Sequence, residues 1–465
     1  MKPTVLLSLV LIVCLVWLSL HPGVAHAAGF TVTKFIDTND GVCNSDCSLR
    51  EAIIAANASP ESDTITLPAG TYTLSLAAEE GDLVITSPLT LAGQGPSQTI
   101  IDAAGTGRVL DMQSGAGSVT ISGVSIVNGA GAGSAYGAGI HCYQADLNLD
   151  NVLVSNNHTT APYAGGIYAY ECTVNLDHTQ VVNNSAYYGG GISAYHSTVA
   201  LTYSQVSEND AGGSGGGILG DGSALSLNYT TLLGNTADDN GAGLYARGAG
   251  STVTVANSLV VGNVAGSGAG GMAFMSGLSA TVDNSTVSGN RTNGSGGGIE
   301  DRIPLTITHS TIVNNIADDD ANNDGDGGGL FAYQSNAQVS VSNTIFADNI
   351  DRTSVDYADC TERNGGSVTS QGYNLVKTAG YCTFSATGDV TGQPPLLGGL
   401  QNNGGATWTH ALLSGSPAFN AGDPAFTPPP LYDQRGPGFS RVVKGRLDIG
   451  AYEEGYRVYL PSVRR

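Results

Sequence analysis

Residues 189–217 read GGGISAYHSTVALTYSQVSENDAGGSGGG, after which Ile218 begins the same phrase again. A glycine turn leads into an aliphatic residue, a run alternating in polarity follows, and the unit closes on Asn209 before the glycines return. Such alternation is the period of a β-strand with one buried face. The phrase recurs as GAGI (Ile140), AGGI (Ile167), GGGI (Ile192), GGGI (Ile218), GAGL (Leu244), AGGM (Met272), GGGI (Ile299) and GGGL (Leu330), at steps of 27, 25, 26, 26, 28, 27 and 31 residues. A second track ends each unit on Asn128, Asn157, Asn184, Asn209, Asn235, Asn263, Asn290, Asn315 and Asn349.

A unit of about 26 residues cannot bury its own apolar face, whereas stacked copies can. Leucine-rich repeats need a dense Leu frame that is absent, and a propeller blade needs four strands in about 40–45 residues. The expected fold is therefore all-β: a right-handed parallel β-helix with three strands per coil, each coil rising about 4.8 Å. Gly before each strand permits positive φ or close approach between coils. Asn tolerates the left-handed region at a bend, and stacked Asn amides donate and accept between coils. The Asn track is thus expected to be a structural ladder.

Composition agrees. The 465-residue chain has 66 Gly, 12% charged residues and 41% hydrophobic residues, which argues against helical bundles and coiled coils. Its 39 acidic residues against 17 basic ones give a net charge of −22, which repels nucleic acid and anionic lipid.

Residues 1–28 read as an export signal, with Lys2, the apolar run Val5–Leu20 and the small-x-small site Ala25-His26-Ala27. Removal of the signal leaves a chain without a further long apolar run, expected to be secreted or held at the cell surface without inserting in the membrane. Six cysteines remain, and an oxidising destination favours disulfides. Proximity suggests Cys43–Cys47, Cys142–Cys172 and Cys360–Cys382. Residues 29–60 form an N-terminal cap in this reading, since Ser48 and Glu51 make a capping box and Leu49, Ala52, Ile53 and Ala56 fall on one helical face. The repeats then occupy 61–350, a disulfide-bearing final coil 351–395, a C-terminal region 396–455 and a tail 456–465.

The stretch DTNDGVC followed by CSLREAI (Cys47–Ile53) resembles the CSLREA domain, which precedes β-helix regions in exported bacterial proteins. The repeats resemble pectin-lyase-like β-helix repeats, and their GG[IL] and V-x-x-N tracks are similar to those of polymorphic outer-membrane protein repeats. Residues Leu397–Asp423, with DQRG (Asp433–Gly436) and DIGAYE (Asp448–Glu453), look like the choice-of-anchor Q region. These resemblances imply an exported surface protein. The end, YRVYLPSVRR, begins like a sortase motif at Leu460-Pro461 but lacks its Thr-Gly.

β-Helix lyases use a basic residue beside a uronate, yet no Lys or Arg occurs from Val109 through Ala246. Asn235-Thr236-Ala237-Asp238-Asp239 only faintly echoes the NTD and DD motifs of β-helix hydrolases, and their GHG and RIK motifs are absent. No catalytic residue is therefore assigned. Asp320, Asn322 and Asp324, followed by Gly325 and Asp326, match the start of a calcium loop, so Ca²⁺ is the one cofactor expected. Strand alternation aims Tyr143, Tyr170 and Tyr195 outward on consecutive coils, with Tyr168 beside them. Sugar rings pack on such faces, so these tyrosines are expected to bind an extracellular polysaccharide or cell-surface glycan. The sequence thus favours a non-catalytic adhesion or glycan-binding module, with a polysaccharide lyase or glycoside hydrolase as the alternative and a structural spacer as a third reading.

Overall fold

The computed structural model describes residues 27–75, 81–131, 136–353 and 359–455. The export-signal run and the tail 456–465 lie outside them. Among the described residues four parallel sheets of 13, 9, 11 and 13 strands stack coil upon coil, and each coil of the repeats contributes one strand to each sheet. The chain is a parallel β-helix.

Inward residues stack in columns. Ile140, Ile167, Ile192, Ile218, Leu244, Met272, Ile299 and Leu330 pair in register along the 11-stranded sheet. Each is fully buried. Val174, Val199, Leu225 and Val253 do the same on a 13-stranded sheet. One continuous hydrophobic core results, which no single coil forms alone.

The strand count differs from the three per coil expected. A two-residue strand follows each ladder asparagine, such as Ser185–Ala186 and Asp210–Ala211. A strand this short has no alternation to read in sequence.

The Asn ladder is continuous from Asn157 to Asn349. Asn184 Nδ2 donates to Asn209 Oδ1 at 3.0 Å and to the Val154 carbonyl at 3.0 Å, while the Asn184 backbone N–H also donates to Asn209 Oδ1. Asn209, Asn235, Asn263, Asn290 and Asn315 repeat this arrangement. Asn128 is not a rung: its place is taken by Gly129, whose N–H donates to Asn157 Oδ1. Asn128 stands one residue early, at φ +56°, and its amide bonds Asp102 at the surface. At the far end Asn349 donates to Asp359, whose carboxyl burial pushes up to about 6.

The glycine track exists because of the ladder. A Cβ on Gly191 would lie 2.6 Å from the Gly217 carbonyl oxygen and 3.0 Å from the Asn209 side chain. Gly189, two residues earlier, has φ +61°. One glycine of the phrase makes the turn and another lies against the amides.

The helix α1 (Leu49–Asn57) covers the first coil with Leu49, Ala52, Ile53 and Ala56 buried. Ser48 accepts from the Glu51 N–H at 3.1 Å, and Glu51 accepts from the Ser48 N–H at 2.8 Å. Arg50, beside them, pairs twice with Asp37 and donates to the Gly81 and Asp82 carbonyls. At the other end Phe384 packs against Phe346 inside the last coil. Residues 396–455 do not close that end as a lid. They lie along the flank, where Leu412, Ala418 and Ile449 pack on Val313, Ile345 and Leu375. Flank polar groups match too: Gln434 accepts from Thr286, and the Ala451 N–H donates to Thr311.

The three disulfides are Cys43–Cys47, Cys142–Cys172 and Cys360–Cys382. Among the described residues no helix is long and apolar enough to cross a membrane.

Candidate functional site

The outward face of the 11-stranded sheet carries two columns of polar and aromatic side chains. Asp111, His141, Tyr168 and Ser193 occupy one outward column on consecutive coils. Tyr143, Tyr170, Tyr195, Asp221 and Arg247 form the next.

Tyr143 and Tyr170 stack with centroids 5.6 Å apart and planes at 17°. Tyr143 is exposed, and Tyr170 and Tyr195 are half-buried. Tyr168 is not at the surface. It is 7% exposed because Tyr136, Tyr163 and Tyr195 surround it at centroid distances of 5.1, 6.1 and 5.7 Å. Burial pushes its hydroxyl up to about 12. Tyr163 also meets Tyr195 edge-on at 4.9 Å and stacks on Tyr188 at 5.6 Å. Tyr136, Tyr163 and Tyr188 each stand four residues before the aliphatic residue of the phrase. That fixed offset is legible in the sequence.

At the N-terminal end of this aromatic strip four titratable groups converge. Arg108 Nη1 meets Asp111 Oδ1 at 2.8 Å and Asp82 Oδ2 at 3.5 Å. His141 Nδ1 lies 2.6 Å from the same Asp111 oxygen. A carboxylate only accepts, so Nδ1 carries the proton and Nε2 is the nitrogen left to exchange one. The imidazole stacks on Tyr168 at 5.6 Å and Tyr143 at 6.4 Å, which fixes its plane.

The two carboxyls are driven apart. Burial raises the pKa of Asp82, and Arg108 offsets this only in part. Burial also opposes charge on Asp111, but the His141 hydrogen bond and Arg108 outweigh it and hold that carboxyl below its ordinary value. Opposite shifts in neighbouring groups are the signature of an acid paired with a base. The absence of Lys and Arg after Val109 concealed this cluster: Arg108 falls one residue before that span, and the contacts join three coils.

Asp320, Asn322 and Asp324 stand exposed on the acidic loop, and Asp326 is half-buried beside them. Asp320 accepts from the Asn322 amide, Asp324 uses its N–H on Asn322 Oδ1, and Asp326 pairs with Arg363 at 3.0 Å. Among the described residues, the trio of acids and histidine whose ligand atoms lie within 4.8 Å of one another is Asp150, Asp177 and His178, all exposed.

No family model matches the chain and no curated protein does, so the CSLREA and choice-of-anchor Q resemblances rest on their motifs alone. Solved structures that are similar include a pectate lyase, 15% identical, covering 93% of this chain and 98% of that one with a TM-score of 0.45. An alginate lyase complexed with a trisaccharide is 11% identical, covering 75% and 79%, with a TM-score of 0.44. The A-module of an Azotobacter vinelandii mannuronan C-5 epimerase is 16% identical, covering 78% and 97%, with a TM-score of 0.36. The likeness is one of winding.

Proposed function

We propose that the protein is an exported enzyme that cleaves a polysaccharide laid along the tyrosine strip. The observation that carries this reading is the cluster of Asp82, Arg108, Asp111 and His141 at the head of the strip, with its two carboxyls shifted in opposite directions. In this reading Asp82 stays protonated to milder pH and gives its proton to the leaving glycosidic oxygen. His141, held by Asp111 through one hydrogen bond, takes a proton from the water whose oxygen bonds the anomeric carbon as the glycosidic C–O bond breaks. Tyr143 and Tyr170 offer stacked faces on which successive sugar rings rest. Three disulfides suit an oxidising, extracellular setting.

Arg108 favours hydrolysis over β-elimination within this reading. Its guanidinium is already matched by the Asp111 carboxylate at 2.8 Å, which leaves it little charge to offer a uronate. The test is incubation of the protein with a panel of neutral and uronate polysaccharides, scoring new reducing ends and unsaturated ends separately. New reducing ends without unsaturation are expected. Asp82→Asn, Asp111→Asn and His141→Asn should each lower the rate by about 10²–10⁴. Unsaturated ends would make the protein a lyase with His141 as base. Binding to the strip without cleavage would return it to a glycan-binding module, the reading the sequence favoured.

A further inference from the structure

Six coils beyond His141 in the same outward column stands Glu300, with Tyr168, Ser193, Leu219, Tyr245 and Ala273 between them in register. Six steps of about 4.8 Å separate the two positions by about 29 Å along the axis. Glu300 is only 3% exposed, and its Oε1 accepts from both Nε and Nη2 of Arg302, at 2.9 and 2.7 Å. The Arg302 guanidinium lies 5.0 Å from the centroid of the Tyr333 ring, and Phe331 stacks beside that ring at 5.4 Å. Asp326 and Arg363 form a second ion pair close by. Glu300, Arg302, Asp326 and the two aromatic rings line a cleft of about 400 Å³, and Asn240 and Gln334 supply amides at its rim.

We propose that this cleft is a second carbohydrate site, taking neutral pyranose units of the same polysaccharide chain that the tyrosine strip holds. The proposal rests on the glycan-cleaving reading for its ligand, but on its own residues for the site. Three features argue for a neutral sugar. Each guanidinium is matched by a carboxylate, so the cleft has no spare positive charge for an acidic one. The carboxylates, guanidiniums and amides present acceptors and donors side by side, as adjacent sugar hydroxyls require. Tyr333 provides an aromatic surface beside them. Both sites lie on one sheet, so a chain longer than about 29 Å reaches both, and its second contact becomes intramolecular. The consequence is affinity that climbs with chain length, up to about 10²-fold or more over a short chain.

Calorimetry on the full chain tests this, with neutral cello-, xylo- and laminari-oligosaccharides of increasing length and oligogalacturonates as the acidic counterpart. For one neutral series, affinity is expected to rise at least tenfold once the oligomer spans both sites. Tyr333→Ala, confirmed as folded by an unchanged circular dichroism spectrum, should lose that rise. Gln334→Ala, which leaves the ion pairs intact, should reduce it. A rise of the same size in folded Tyr333→Ala overturns the second site while leaving the strip in place. Binding confined to oligogalacturonates overturns the neutral-sugar assignment. Short neutral oligomers lost in Tyr333→Ala but indifferent to Tyr143→Ala would support the cleft and sink the strip instead. No binding by any series overturns both.

Discussion

Replacing Asn235 by alanine removes one rung from the middle of the ladder, and the hydrogen bonds there allow the cost to be worked out. Asn235 is fully buried. Its Oδ1 accepts from the Asn209 backbone N–H at 3.1 Å and from Asn209 Nδ2 at 3.0 Å, and its own Nδ2 donates to the Val206 carbonyl at 3.0 Å. All three partners remain buried after the substitution and lose this contact. Asn263 keeps the Asn235 backbone N–H and is affected least. A buried polar group left unmatched costs about 1–3 kcal/mol; Asn209 Nδ2 keeps the Val181 carbonyl, so two groups are left unmatched and the loss should total about 2–6 kcal/mol. Stacked coils need not unfold all at once, so the readout is native-state hydrogen exchange together with urea unfolding. Amides of the coils carrying Asn209 and Asn235 should exchange faster first, while the N-terminal helix keeps its protection. Asn128→Ala is the control, since its amide bonds Asp102 at the surface, and it should cost about 0.5 kcal/mol or less. If Asn235→Ala cost no more than this control, the ladder would not hold the coils together and the argument for the Asn track would fail.

Other consequences follow from particular groups. Asp301 is fully buried with neither carboxyl oxygen hydrogen-bonded, and burial pushes its pKa up to about 8; the Ile303 N–H eases this but lies outside bonding geometry. Stability should therefore be fullest below about pH 4 and fall as the pH rises through 8, by at most on the order of 5 kcal/mol. Asp301→Asn should flatten that slope in melts taken across the range, and an unchanged slope would place the proton elsewhere. Glu51 behaves oppositely: burial would raise it, but the Ser48 and Asp40 N–H groups, Thr38 and Lys34 hold it at about 2. Its contribution is present above about pH 4.5 and fades as the pH falls towards 2. Ser48→Ala should cost about 1 kcal/mol in chemical denaturation through loss of the helix cap. Removing the Cys142–Cys172 bond by paired alanine substitutions should lower stability by about 2–4 kcal/mol, and an equal midpoint with and without reductant would contradict this.

The repeat fixed much of the architecture in advance because a solenoid converts sequence period directly into stacking. Residues at the same place in successive units must lie one above another, so the buried Ile and Leu column and the Asn column could be read from spacing alone. Asn128 shows the limit: its neighbour Gly129 donates with a backbone N–H, which no side-chain pattern reveals. The two-residue strands after each Asn were likewise too short to leave a period. Alternation places Tyr168 on the outer side of the sheet and specifies only that side. Whether that side is wet depends on Tyr136 and Tyr163, which fold over it from the neighbouring turns.

The sequence by itself determined the winding, the inward and outward columns and the capping helix, because each follows from local period and backbone preference. Only the tertiary structure decided which outward groups act together. Asp82, the Arg108–Asp111 pair and His141 lie about one coil apart in sequence yet meet through ion pairs and a hydrogen bond, and the burial of Glu300 with its ion pair is announced by no motif. Coulomb interactions and desolvation depend on distance and on what excludes water, and stacking sets both between coils.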